Sequence, residues 1–126
     1  MDIACETICS VSTDRAETYR RARYQIGIYI FHPVSGPVAD YMRVSKERKR
    51  CLETMMTRGP QALTEVVDDK LVEAFSITGT PDECRRKLKD FDDCLPHRLL
   101  HPPYVPVLSE EESADACADI ISTFGR

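Results

Sequence analysis

Small and apolar residues crowd the stretch from Ile3 to Val11, and period-2 reading splits it into two faces. Ile3, Cys5, Thr7, Cys9 and Val11 share one face; Ala4, Glu6, Ile8 and Ser10 share the other. Neither face is polar throughout, the pattern of a strand covered on both sides in a parallel sheet. Ser12-Thr13-Asp14 ends it. Asp14 followed by Glu17 is a capping-box-like start, and Ala16, Tyr19, Arg23, Ile26 and Ile30 continue at helical spacing. Pro33 disfavours helical geometry at His32, so this helix is expected to stop at Phe31-His32-Pro33.

Ser35-Gly36-Pro37 reads as a turn with proline at the start of a second helix, which the pattern carries to about Arg58, where Gly59 supplies the stop. Residues 60–77 read as one broken helix or two short ones, anchored by Leu63, Val66, Val67, Leu71, Val72 and Phe75. Gly79-Thr80-Pro81-Asp82-Glu83-Cys84 then carries a strong helix start: a Thr80 cap, proline at the first position, and Glu83 reaching back. The helix is predicted to turn Cys84, Leu88 and Phe91 inward and to end near Cys94. Pro96 to His101 reads as a second short strand before Pro102-Pro103. Ser109 with Glu112 is a full capping box for a last helix that packs through Ala116, Ile120, Ile121 and Phe124. The two strands, separated by helices, are expected to be parallel neighbours joined by a long crossover.

Composition narrows the class. A chain of 126 residues, 42% hydrophobic and 30% charged, is long enough for one domain with a real core. A net charge of −4 offers no global attraction for nucleic acid or anionic lipid. The basic run Arg43, Lys46, Arg48, Lys49 and Arg50 has no interleaved aromatics and reads as a solvated helix face rather than a phosphate contact. The start lacks a basic and apolar leader, and no apolar run approaches the roughly 18 residues that span a bilayer, so a cytoplasmic address is expected. Six cysteines occur without a CxxC pair, and His32, His97 and His101 lack zinc-site spacing. Free buried thiols are expected, and no metal. No GxGxxG or GxxxxGK loop supports a Rossmann unit or a P-loop.

The segment from Leu71 to Cys84, with Val72-Glu73-Ala74-Phe75 before Gly79-Thr80-Pro81-Asp82-Glu83, resembles the luciferase-like monooxygenase superfamily. The branch it is most similar to is the F420-dependent one that includes methylenetetrahydromethanopterin reductase. The opening strand ending in Ser10-Val11-Ser12-Thr13-Asp14 agrees, as does Leu99-Leu100-His101-Pro102-Pro103 where that family's last strand delivers its loop. The resemblance implies an α/β fold: a helix-rich C-terminal part of a (β/α)8 TIM barrel with about two parallel strands, seven and eight, joined by a helical insertion. Residues 1–126 would form that single domain. Such barrels typically have about 250 residues, so the earlier strands would be absent. The family usually has glycine where this chain has Cys94, which implies a left-handed position strained by roughly 1 kcal/mol.

The implied reaction is hydride transfer with F420 or reduced FMN, incomplete in this chain alone. The alternative is a non-catalytic remnant or small helical interaction module. Barrel sites assemble at the C-terminal ends of strands, which makes His101 and Tyr104 the candidate cofactor-binding residues. His101 would serve as proton donor or hydrogen-bond partner and Tyr104 as a stacking ring; the plain readings are a backbone-satisfied histidine and loop packing. Glu6 is expected on a buried strand in a structural ion pair. No catalytic residue is assigned. Unpaired strand edges imply self-association or a companion chain with the other strands.

Overall fold

The computed structural model describes residues 4–94, 97–104 and 108–125. Ile3 and Pro96, expected at strand starts, lie outside them. Strand β1 (Ala4–Val11) is the centre of a three-stranded parallel sheet, flanked by β2 (Ser76–Gly79) and β3 (His97–His101). The parallel pairing of the first and last strands is as expected. The third strand is a correction, because Ser76 and Ile77 belong to β2 rather than to a helix. A four-residue run is too short to show a period, so it was indistinguishable from the end of a helix. Pairing is staggered: β2 lies beside Ile8–Val11, whereas β3 lies beside Ala4–Ile8.

That stagger decides where the core forms. Residues Ile8–Val11 of β1 are buried, while Ala4 and Glu6 are exposed. Helix α1 (Arg15–Tyr29) covers the Ile8 and Ser10 face, where the Ser10 hydroxyl donates to Thr18 O at 2.8 Å. Asp14 caps it by accepting from the Ala16 and Glu17 amides. Ile8, Tyr19, Ala22 and Ile26 make one core with Leu63, Leu71 and Val72. Cys9 and Val11 point the other way, into a second core with Ile77, Cys84 and Ile120. β1 is thus covered on both sides where it is buried.

The helix predicted from Pro37 to Arg58 is two, α2 (Ser35–Tyr41) and α3 (Ser45–Arg58). Arg43 takes a left-handed conformation at φ 59°, its N–H bonds to Asp40 O, and the Val44 N–H bonds to Ala39 O. These two bonds are the Schellman ending of α2, with buried Val44 as its apolar anchor. Glycine normally announces that ending, and here arginine holds the position. The neighbouring basic residues are partly spent on the fold. Arg48 bonds Ile30 O and Ser35 Oγ, and Arg50 bonds Val66 O and Asp68.

After Gly59 come a 3-10 turn (Pro60–Ala62), α4 (Leu63–Val66) and α5 (Asp69–Phe75), the last capped by Asp68 on the Leu71 amide. Helix α6 (Pro81–Lys89) starts on the predicted capping box and stops five residues before Cys94. Phe91 is consequently exposed rather than inward. Cys94 sits in a turn closed by its N–H to Phe91 O, and Arg43 is the only non-glycine with positive φ among the described residues. The expected strain at Cys94 is therefore absent. Helix α7 (Glu110–Phe124) has the predicted Ser109–Glu112 box and buries Ala116 and Ile120, but Ile121 faces solvent. All six cysteines are free; Cys9, Cys51 and Cys84 are buried, whereas Cys94 and Cys117 are exposed.

Candidate functional site

β3 is short, and this governs where its last residue lands. His101 pairs with Ile8, whereas β1 continues to Val11. In a parallel pair, residues in register share a face, so His97, Leu99 and His101 lie on the α1 side and Leu100 joins the α6–α7 core. His101 therefore meets the last turns of α1, set back from the end of β1.

The two sequence-predicted site residues come together there. The His101 ring centroid is 5.9 Å from that of Tyr104 and 6.1 Å from that of Tyr29, the latter edge-on at 65°. His101 Nδ1 lies 3.2 Å from Pro102 O, and Nε2 is 3.8 Å from Glu6 Oε1. Glu6 is exposed, contrary to the expectation of a buried ion pair, because only the C-terminal half of β1 is enclosed. Tyr104 is 60% exposed, and its phenol oxygen is 2.8 Å from that of Tyr29. Its backbone N–H donates to Oε1 of buried Gln25 at 2.9 Å. Gln25 Nε2 is buried and has no hydrogen-bond partner among the described residues. Burial first, then the Tyr104 hydrogen bond, pushes the Tyr29 phenol above its usual value, against an opposing pull from the Gln25 amide.

Tyr29 and Gln25 join this group although the sequence pattern does not single them out. They are four residues apart, so one face of α1 carries both. The signal was present but lay off the apolar stripe that defined the helix.

A second polar group stands at the C-terminal ends of β1 and β2, where barrel chemistry is usually placed. Arg15 lies 2.8 Å from the Tyr19 phenol, with its guanidinium carbon 4.5 Å from that ring centroid, and 3.4 Å from Glu83. Tyr19 donates to Glu73, and Lys87 bridges Glu73 at 2.6 Å and Thr78 O at 2.7 Å. Burial acts to raise the Glu73 carboxyl, but the Lys87 and Tyr19 hydrogen bonds and the Arg15 charge outweigh it and hold Glu73 below its usual range. Burial and the bond to Glu73 push Tyr19 well above the ordinary phenol range. Every charge in this group has a partner, so the group ties α1, α5 and α6 together at the strand ends.

Among the described residues, no group of three or more His, Cys, Asp or Glu side chains is placed to hold a metal ion. No described helix is long and apolar enough to cross a membrane. No protein-family model and no curated protein matches the chain. Among solved structures, it is similar to the coenzyme F420-dependent tetrahydromethanopterin reductase from Methanopyrus kandleri, with a TM-score of 0.73 at 19% identity. The alignment covers 99% of this chain and 34% of that one, so the chain spans about a third of that enzyme's length. At this identity the likeness is one of fold: a helix-rich α/β arrangement of parallel strands that corresponds to part of a TIM barrel.

Proposed function

We propose that this chain forms the wall and lid of an F420-dependent oxidoreductase barrel in the cytoplasm, and that hydride transfer requires the remaining strands. The observation that carries this reading is the parallel β1–β3 pair with its intervening helices, arranged as in one third of an F420-dependent reductase. FMN, the other cofactor that the family resemblance allows, has no support from that neighbour.

The residues present suit one part of such a cofactor and not another. Tyr104 offers an exposed ring for stacking, and His101 stands behind it with Nε2 toward Glu6. The strand ends are unsuited to phosphate. Asp14 occupies the amides at the start of α1, and Glu83 occupies the Thr80 amide before α6, so carboxylates stand where an anion would dock. Phosphate contacts in this reading belong to barrel strands outside residues 1–126. When bound, F420 supplies the hydride; the protein orients and shields it.

The rival reading, a non-catalytic interaction module, is favoured by the set-back of His101 from the end of β1. Fluorescence titration with F420 and steady-state oxidation of reduced F420 separate the two. Measurements use this chain alone and mixed with a companion carrying the earlier strands. The expected result is no turnover alone and turnover with the companion. His101→Ala should then weaken F420 binding or turnover, while His97→Ala, at an exposed position, should change neither. Turnover by the chain alone would overturn the need for further strands. No F420 binding in either preparation would leave the interaction module.

A further inference from the structure

We infer that two copies of this chain associate through the free edge of β3, antiparallel about a two-fold axis at Leu99. This inference does not depend on the oxidoreductase reading. Among the described residues β3 pairs with β1 on one side only, which makes it an edge strand. β2 is the other edge, but all four of its residues are buried. β3 instead leaves His97 and Leu99 exposed, and Leu99 retains 60% of its surface.

Edge strands are ordinarily protected by lysine, proline, a bulge or a covering element. The strand His97-Arg98-Leu99-Leu100-His101 contains neither lysine nor proline, and its register with β1 is continuous, without a bulge. Its one fixed charge is turned away: Arg98 bonds Leu88 O at 3.1 Å and pairs with Asp92, on the α6 side. The backbone edge is left beside an exposed leucine with no repelling charge on the Leu99 face of the strand.

The occupant follows from the strand's own symmetry. Reversed about Leu99, the five residues read nearly the same, so an antiparallel partner strand would set Leu99 against the second copy's Leu99 and His97 against its His101. Arg98 would face Leu100, not another arginine, so the arrangement opposes no fixed like charges. The two exposed leucines would cover one another in the middle. A two-fold contact uses each edge once and closes, whereas a head-to-tail contact would continue into a filament. The strand is roughly 16 Å long, so this is a small, weak interface of the transient kind.

Sedimentation velocity over a concentration series tests the inference. The parent is expected to show a concentration-dependent shift from monomer to dimer and no larger species. Leu99→Lys should stay monomeric with an unchanged far-UV spectrum, because the side chain is exposed. The register is tested with Leu99→Cys in a Cys94→Ser, Cys117→Ser background. Oxidised glutathione should convert it to a disulfide-linked dimer, whereas Tyr41→Cys in the same background, at an exposed site on α2, should form no disulfide-linked dimer. A parent that stays monomeric throughout overturns the proposal. So does a dimer that survives Leu99→Lys, or equal cross-linking from position 41.

Discussion

The phenol oxygens of Tyr29 and Tyr104 stand 2.8 Å apart, joining the last turn of α1 to the segment that follows β3. The bond spans residues 75 positions apart in sequence and holds the His101 ring between two aromatic neighbours. Tyr29→Phe and Tyr104→Phe should each cost about 0.5–1.5 kcal/mol, toward the lower end because both rings are partly exposed. The double substitution should cost less than the sum, since either one already removes the shared bond. Urea unfolding of the four proteins measures this; full additivity would mean that the bond contributes nothing.

The Tyr29 shift gives a pH prediction with a definite sign. Its folded-state pKa is raised, chiefly by burial, so the folded protein holds that proton more tightly than the unfolded chain. Stability from this source is complete below the ordinary phenol value of about 10 and is lost as pH rises through the folded value. In an absorbance titration, Tyr29→Phe should remove a late-ionising phenol.

The acidic side behaves oppositely. Arg20 hydrogen bonding holds Glu17 low, and Glu73 is held low by Lys87 and Tyr19 despite burial. Their contributions are present above the unfolded value of about 4.3 and fade as pH falls through the lowered folded values. The melting temperature should therefore drop between about pH 5 and pH 3. Glu73→Gln should flatten part of that drop.

Two glycines in helices should respond in opposite directions. A Cβ on Gly27 would meet Leu63 Cβ at 3.0 Å and Val67 Cγ2 at 3.3 Å, at the crossing of α1 with the α4 segment. Gly27→Val should destabilise by about 1–3 kcal/mol. Gly36 in α2 has no neighbour closer than Arg48 at 3.9 Å, so Gly36→Ala should gain up to about 1 kcal/mol of helix propensity. Thermal or urea melts check both signs.

Thiol labelling should divide the cysteines by burial. Cys94 and Cys117 should react at once in the native protein, whereas Cys9, Cys51 and Cys84 should wait for unfolding. Burial also pushes the Cys51 thiol up to about 11, which leaves it protonated at neutral pH. Rapid labelling of Cys9 or Cys84 without denaturant would contradict the packing of the α6–α7 core.

Short-range chemistry was legible in the sequence alone. The Asp14, Thr80 and Ser109 caps are local bonds between residues two or three apart, so the chain alone determined where α1, α6 and α7 begin. The double-sided burial of β1 was also written in its alternation, as was the parallel pairing implied by a helical crossover. What depended on distant residues was not. The Schellman ending at Arg43 had no glycine to mark it, and β2 is a strand only because Ile8–Val11 is there to pair with. The gathering of His101 and Tyr104 was foreseeable from their proximity in sequence. Their meeting with Tyr29 and Gln25, and the set-back of His101 opposite Ile8, were decided by strand register and by the length of α1, which are tertiary quantities.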